Sequence, residues 1–258
     1  MSENLSVTEQ LNKGIALVEK SCGEVGILAY FQEDTSTAGE ISYLKRKYSE
    51  ALQHEKVIGL IVSTRPDFLT KEITDLFAGL DKPVTIEIGM QSRHDKSLKF
   101  LNRGHDFAQV EKAITICGKK GIEIGVHLIL GIPGESLADM RETILYVTGN
   151  RYTKQVKFHN LVVYEGTPLQ ELYRKGNLKI PSVKEYIPIL GDLIAYLRGD
   201  IVITRLFTSN IRRTQIAADR FRGIKTKWMN ELRKYIVKNK IIQGCKTDIV
   251  YDQENIKI

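Results

Sequence analysis

Two carboxylates, Glu87 and Glu135, and the amide and hydroxyl of Gln91 and Ser92 carry the clearest chemical potential in this sequence. Each falls at the end of an apolar run. Glu87 lies in VTIEIG (84–89), Gln91 and Ser92 follow it, and Glu135 follows HLILGIPG (127–134). Carboxylates so placed accept hydrogen bonds from sugar hydroxyls, and Arg65, after VIGLIV (57–62), offers a fork that matches a carboxylate or phosphate. Other runs end in Gln32, Glu33, Asp34 and Thr35, in His159, Asn160 and Tyr164, and in Thr204, Arg205, Ser209 and Asn210. No serine sits in a nucleophile elbow, no cysteine falls at a strand end, and no glycine-rich phosphate loop is present. His127 and His159 lack a third ligand at a telling spacing, so no protein-only metal centre is expected. His127, inside an apolar run, reads as an interior histidine.

The elements that must position these groups are marked by helix caps. The organising stretch is Ile122 to Asp139: a β-branched apolar run, a Gly131-Ile132-Pro133-Gly134 turn, and the capping box Ser136-x-x-Asp139. Comparable starts occur at Ser6, Thr37, Thr70, Ser92, Asp106, Thr167 and Ser182, and Gly23, Asn102-Arg103-Gly104, Gly121 and Gly176 mark helix ends. Strands are expected at 27–31, 57–62, 84–89, 122–130, 155–163 and 201–207, with mostly helical structure from Ser209 to about Asn239. Strands alternating with helices argue for an α/β protein with a parallel sheet, either a βα barrel or a doubly wound fold. In both, ligands bind beyond the carboxyl ends of the strands. A βα barrel begins with a strand, whereas this chain begins with a helix, so a first strand and its loop are the elements expected to be missing.

The totals narrow the class. The chain has 258 residues and 42% hydrophobic content, enough for one large α/β domain with an appendage. No apolar run reaches the roughly 18 residues of a membrane span. The N-terminus is not a secretory signal. Cys22, Cys117 and Cys245 are scattered, which fits reduced thiols and a cytoplasmic location. The net charge of +7 concentrates late, in residues such as Arg212, Arg213, Arg220, Lys227, Lys234 and Lys238. That segment reads either as a solvated helix face or as a contact for RNA or another anion.

Four blocks, LAYFQEDTST (28–37), STRPD (63–67), IEIGMQSRHDKSLKFLNRGHDF (86–107) and HLILGIPGES (127–136), together resemble the radical S-adenosylmethionine proteins. The likeness is to the bacterial YhcC group and, more distantly, to the radical SAM domain of the Elongator catalytic subunit. It implies a partial (β/α)6 TIM-like barrel over 1–208 with S-adenosylmethionine held across the strand ends, and charge and pattern make 209–258 a basic, mainly helical extension. Position by position, it puts Gln32 and Thr35 near the methionine moiety, and Glu87, Gln91 and Ser92 near ribose and carboxylate. Gly131, Pro133, Gly134 and Glu135 fall beside adenine, and Arg103 and His105 line or brace the site. Arg65 and His159 complete the expected cofactor contacts.

Members of that family bind a 4Fe–4S cluster through three cysteines in a loop after the first strand, and this sequence has no such motif. A truncated or misassigned reading frame, a split or degenerate gene, and a cluster-free relative all accommodate that departure. The expected function is a radical SAM-type domain, incomplete or inactive without the cysteines. The alternative is a catalytically silent nucleotide- or RNA-binding barrel, with tRNA as the RNA that the resemblance suggests. The substrate is not legible. An exposed sheet edge is expected to dock a partner or a second copy and to limit solubility.

Overall fold

In the computed structural model, residues 5–32, 35–208, 216–218, 221 and 224–248 are described, and the alternation of apolar runs and caps becomes alternating strands and helices. In order these are α1 (Val7–Cys22), β1 (Ile27–Phe31), α2 (Ile41–Leu52), β2 (Val57–Thr64), α3 (Lys71–Ala78) and β3 (Val84–Gln91). Then come α4 (Asp95–Phe100), α5 (Phe107–Lys119), β4 (Glu123–Leu130), α6 (Leu137–Gly149), β5 (Thr153–Asn160) and β6 (Val163–Tyr164). The last are α7 (Pro168–Arg174), α8 (Val183–Tyr196), β7 (Val202–Arg205), β8 (Ile216–Ala218) and α9 (Lys225–Lys238). Six strands form one sheet in the order β1-β2-β3-β4-β5-β7, while β6 and β8 make an antiparallel pair. This α/β fold with six parallel strands is the expected class. Strand β3 is buried along its whole length, as suits an interior strand covered on both faces.

The chain packs as two compact units, residues 1–89 with 108–125 and residues 90–107 with 126–258. In the first, Ser6 and Glu9 form the capping box that opens α1. The ion pair between Lys56 and Glu19 ties that helix to the segment entering β2. Tyr48 packs edge-on to Phe31, with ring centroids 5.0 Å apart, and lies 5.1 Å from Phe77. Gly59, in register with Leu28, sits so close to β3 that an added Cβ would meet Pro83 O at 2.7 Å. Only glycine permits that approach.

In the second unit, Trp228 of α9 packs with Phe207 and Phe221, and both phenylalanines also meet Tyr186 of α8. Burial pushes the Tyr186 phenol pKa up, and its hydroxyl donates to Leu206 O at 3.0 Å. Arg141 forks onto Asp192, which also accepts from Lys246 at 2.9 Å, joining α6, α8 and the segment after α9.

Several expected boundaries move for local reasons. Thr37 does not cap α2, whose N-cap is Glu40, because its hydroxyl lies 2.5 Å from Thr64 Oγ1 instead. Ser92 does not cap α4, whose N-cap is His94, because its oxygen accepts from His94 N–H while its proton goes to Glu135. Helix α4 ends at the expected Asn102-Arg103-Gly104, with Asn102 at φ 52° and Arg103 N–H donating to Leu98 O at 2.9 Å, a Schellman closure. Val163, expected to end β5, joins Tyr164 instead in a short strand paired with β8, in a stretch expected to be helical. The alanines there favour a helix locally, but pairing with β6 prevails.

Candidate functional site

Strand register builds the first polar cluster. Ser63 and Glu87 are directly opposed on β2 and β3, and Tyr30 on β1 projects to the same face. The Tyr30 hydroxyl donates to Glu87 Oε2 at 2.7 Å and Ser63 Oγ donates to the same oxygen at 3.0 Å. The two hydroxyl oxygens are 3.1 Å apart. Glu87 is only 2% exposed, so its charge relies on such donors.

The loop after β1 is pinned to this cluster's base. Ser36 N–H donates to Ser63 O, Thr37 bonds Thr64, and the Tyr48 hydroxyl, its pKa raised by burial, donates to Ser36 O at 2.5 Å. Half-buried Thr35 is thereby fixed, and Gln32 is exposed at the end of β1. Glu33 and Asp34 lie outside the described residues. Arg65 is turned elsewhere: its guanidinium forks onto Asp67 at 3.0 and 2.7 Å and lies 5.3 Å from the Phe68 ring.

A second cluster is built from turns and a helix start. At the end of β3, buried Gln91 has φ 64°, and Ser92 N–H donates to Met90 O at 2.8 Å, a γ-turn of the rarer positive-φ kind. Such backbone costs about 1–3 kcal/mol and tends to gather at functional positions. Ser92 Oγ donates to Glu135 Oε1 at 2.5 Å and accepts from His94 N–H at 3.1 Å. The turn before Glu135 has Pro133 followed by Gly134 at φ 87°, closed by Glu135 N–H donating to Ile132 O, the signature of a type II turn. Gly131 has φ 79°, and a Cβ there would stand 2.5 Å from Pro181 Cγ. Helix α6 opens with the expected Ser136–Asp139 capping box. Bonds from the Ser136 N–H and hydroxyl hold the Asp139 carboxyl pKa down at about 2.

His127 on β4 and His159 on β5 stack with ring centroids 5.3 Å apart. His105 is buried and Arg103 half-buried after α4. Asn160 serves the fold, accepting from Thr208 N–H at 3.0 Å. Ser209 and Asn210 lie outside the described residues. Tyr30 escaped the sequence reading because its partners are 33 and 57 residues away. The alternation of exposed Tyr30 with buried Ala29 in ILAYF is the trace it leaves.

The cysteines stay apart: Cys22 and Cys245 are exposed and Cys117 is buried in α5. Burial pushes the Cys117 thiol pKa up to about 12, away from the thiolate that binds metal. Among the described residues, no group of three or more His, Cys, Asp or Glu could hold a metal ion. No helix among them is long and apolar enough to cross a membrane.

The chain belongs to the radical SAM superfamily, whose family model matches residues 5–147, while a model described as the Radical_SAM C-terminal domain matches residues 153–239. It is 34% identical over 251 residues to the uncharacterized protein MJ0486 of Methanocaldococcus jannaschii, covering 95% of this chain and 76% of that protein. It is 31% identical to protein YhcC of Escherichia coli, covering 83% of this chain and 69% of that one. The tRNA uridine(34) acetyltransferase of Methanocaldococcus infernus is 28% identical, over 83% of this chain and 41% of that protein. The archaeal Elp3 structure from Methanocaldococcus infernus, with an N-terminal deletion, shares the fold with a TM-score of 0.74 at 24% identity. That match covers 97% of this chain and 64% of the Elp3 chain.

Proposed function

We propose that this chain is the nucleoside-binding part of a radical SAM protein, taking S-adenosylmethionine at the carboxyl ends of its strands. The observation that carries the reading is the Tyr30–Ser63–Glu87 cluster, in which three neighbouring strands gather two hydroxyls on one carboxylate oxygen. Its acceptor chemistry fits ribose hydroxyls. In the second unit, Gln91 and Ser92 at their strained turn offer amide and hydroxyl groups of their own. Thr35 and Gln32 at the end of β1, and the Gly131–Glu135 turn, extend the contacts within each unit. The three cysteines do not fit an iron–sulfur cluster, because they are scattered and one thiol is buried and protonated. The reading is therefore of a chain that binds S-adenosylmethionine without cleaving it reductively by itself.

Isothermal titration with S-adenosylmethionine tests the first half, with saturable binding expected. Iron and sulfide content after anaerobic reconstitution tests the second, with little bound iron expected. About four irons per chain would overturn it.

RNA binding is a second reading, favoured by α9. There Lys227, Lys234 and Lys238 are exposed at i, i+7 and i+11, on one helix face away from buried Trp228 and Leu232. The relative named as a tRNA acetyltransferase is consistent with it. Arg212, Arg213 and Arg220, which the sequence also singles out, lie outside the described residues. The test is filter binding of a tRNA across salt concentrations with the lysines changed to glutamate. Salt-independent binding would sink this reading.

A further inference from the structure

We propose that Tyr30, rather than Glu87, is the side chain of the first cluster that meets the ligand, and that Glu87 and Ser63 act by positioning its phenol. The inference rests on the nucleoside-binding reading and adds to it a specific contact. Exposure decides the order of the three groups. Glu87 is 2% exposed and Ser63 7%, whereas Tyr30 is 37% exposed. Of the three, Tyr30 is the residue with surface left to meet a ligand.

The hydrogen bonds give that phenol a definite character. A serine or tyrosine hydroxyl has one proton to donate. Tyr30 gives its proton to Glu87 Oε2 at 2.7 Å and Ser63 gives its own to the same oxygen at 3.0 Å. With its proton given to Glu87, the phenol meets a ligand as an acceptor rather than a donor, and donation to a carboxylate oxygen makes it a stronger one. Ser63 is locked opposite Glu87 by the β2–β3 register, so the carboxylate cannot swing away without losing a second donor. An oriented, electron-rich oxygen that accepts suits a ligand group that donates. In a nucleoside, the ribose hydroxyls are such donors.

The experiment is isothermal titration of the full chain with S-adenosylmethionine, adenosine and 2′,3′-dideoxyadenosine. The unaltered protein is compared with Tyr30→Phe, Ser63→Ala, Glu87→Gln and the Tyr30→Phe/Glu87→Gln pair, each checked for an intact thermal melt. Tyr30→Phe is expected to weaken adenosine binding about tenfold and to leave 2′,3′-dideoxyadenosine unchanged. Glu87→Gln and Ser63→Ala should each weaken adenosine by less. The pair should lose no more than Tyr30→Phe alone, since the carboxylate works through the phenol.

A larger loss from Glu87→Gln than from Tyr30→Phe would mean that the carboxylate contacts the ligand directly, overturning this proposal but not the nucleoside reading. Equal losses for adenosine and its dideoxy analogue in Tyr30→Phe would reduce Tyr30 to a brace, with the same consequence. Absence of binding by all three compounds to the unaltered chain would overturn the nucleoside reading and this proposal together.

Discussion

The polar cluster on β1, β2 and β3 and the one around Ser92 and Glu135 are built by different means. In the first, three strands carry Tyr30, Ser63 and Glu87 to one carboxylate oxygen, and their positions follow from sheet register. In the second, a γ-turn at Gln91, a type II turn at Pro133–Gly134 and a helix cap at Ser136 do the placing. Register is a collective property, because a slip of one residue turns every side chain to the other face. Turns and caps are local and can give way one at a time. Damage to the first cluster should therefore spread into global stability, while damage to the second should stay where it is made.

The sharpest way to break this comparison is to remove the two carboxylates in turn. Glu87→Ala leaves the buried Ser63 hydroxyl and the Tyr30 phenol without their acceptor and is expected to cost about 2–3 kcal/mol in urea unfolding. Glu135→Ala, at a half-buried turn, should cost under about 1 kcal/mol. Equal costs would erase the distinction. Gly131→Ala comes next, because it combines a positive φ with a clash against Pro181 and should destabilise by about 2 kcal/mol. The double variant with Pro181→Ala should recover part of that loss, leaving the backbone contribution.

A smaller effect is electrostatic. Bonds from Ser136 hold the folded-state Asp139 pKa at about 2, below its ordinary 3.8, so the stabilisation is present above the ordinary value and fades as pH falls toward about 2. Ser136→Ala removes the hydroxyl but keeps the stronger backbone N–H bond, so it should raise the Asp139 pKa only part of the way toward 3.8 in a carboxyl NMR titration, leaving residues of the first cluster unshifted. The smallest expected effect is at β1, an edge of the six-stranded sheet whose ILAYF sequence carries no charge. Leu28 is 48% exposed there, so Leu28→Lys should change stability by less than ~0.5 kcal/mol. It should still reduce self-association seen by light scattering. Unchanged association would remove the edge from consideration as a docking surface.

Sequence patterns revealed what depends on near neighbours. The capping boxes at Ser6, Ser136 and Ser182 form as their spacing predicts, and the six apolar runs become the six strands of one sheet. Thr37 and Ser92 satisfy the same spacing, yet each gives its hydroxyl to a partner at least 27 residues away. No local rule separates those two from the ones that cap. The same limit hid Tyr30, whose role emerges only when β1, β2 and β3 are set in register. Arg65 shows the converse: a local carboxylate, Asp67, takes the fork that its strand-end position seemed to reserve for a ligand.

Arg198 carries a consequence for how the second unit assembles. Its buried guanidinium donates to Thr148 O at 2.6 Å and Thr153 O at 3.2 Å, with acceptors 50 and 45 residues earlier in the chain, and pairs with Asp200. Before α6, the entry to β5 and the end of α8 have all come together, this cation has no dry place with enough acceptors to hold it. The arginine acts as a checkpoint that lets the region close in one cooperative step. Limited proteolysis should accordingly yield either intact protein or small peptides, with no lasting fragment that ends between Asn150 and Arg198.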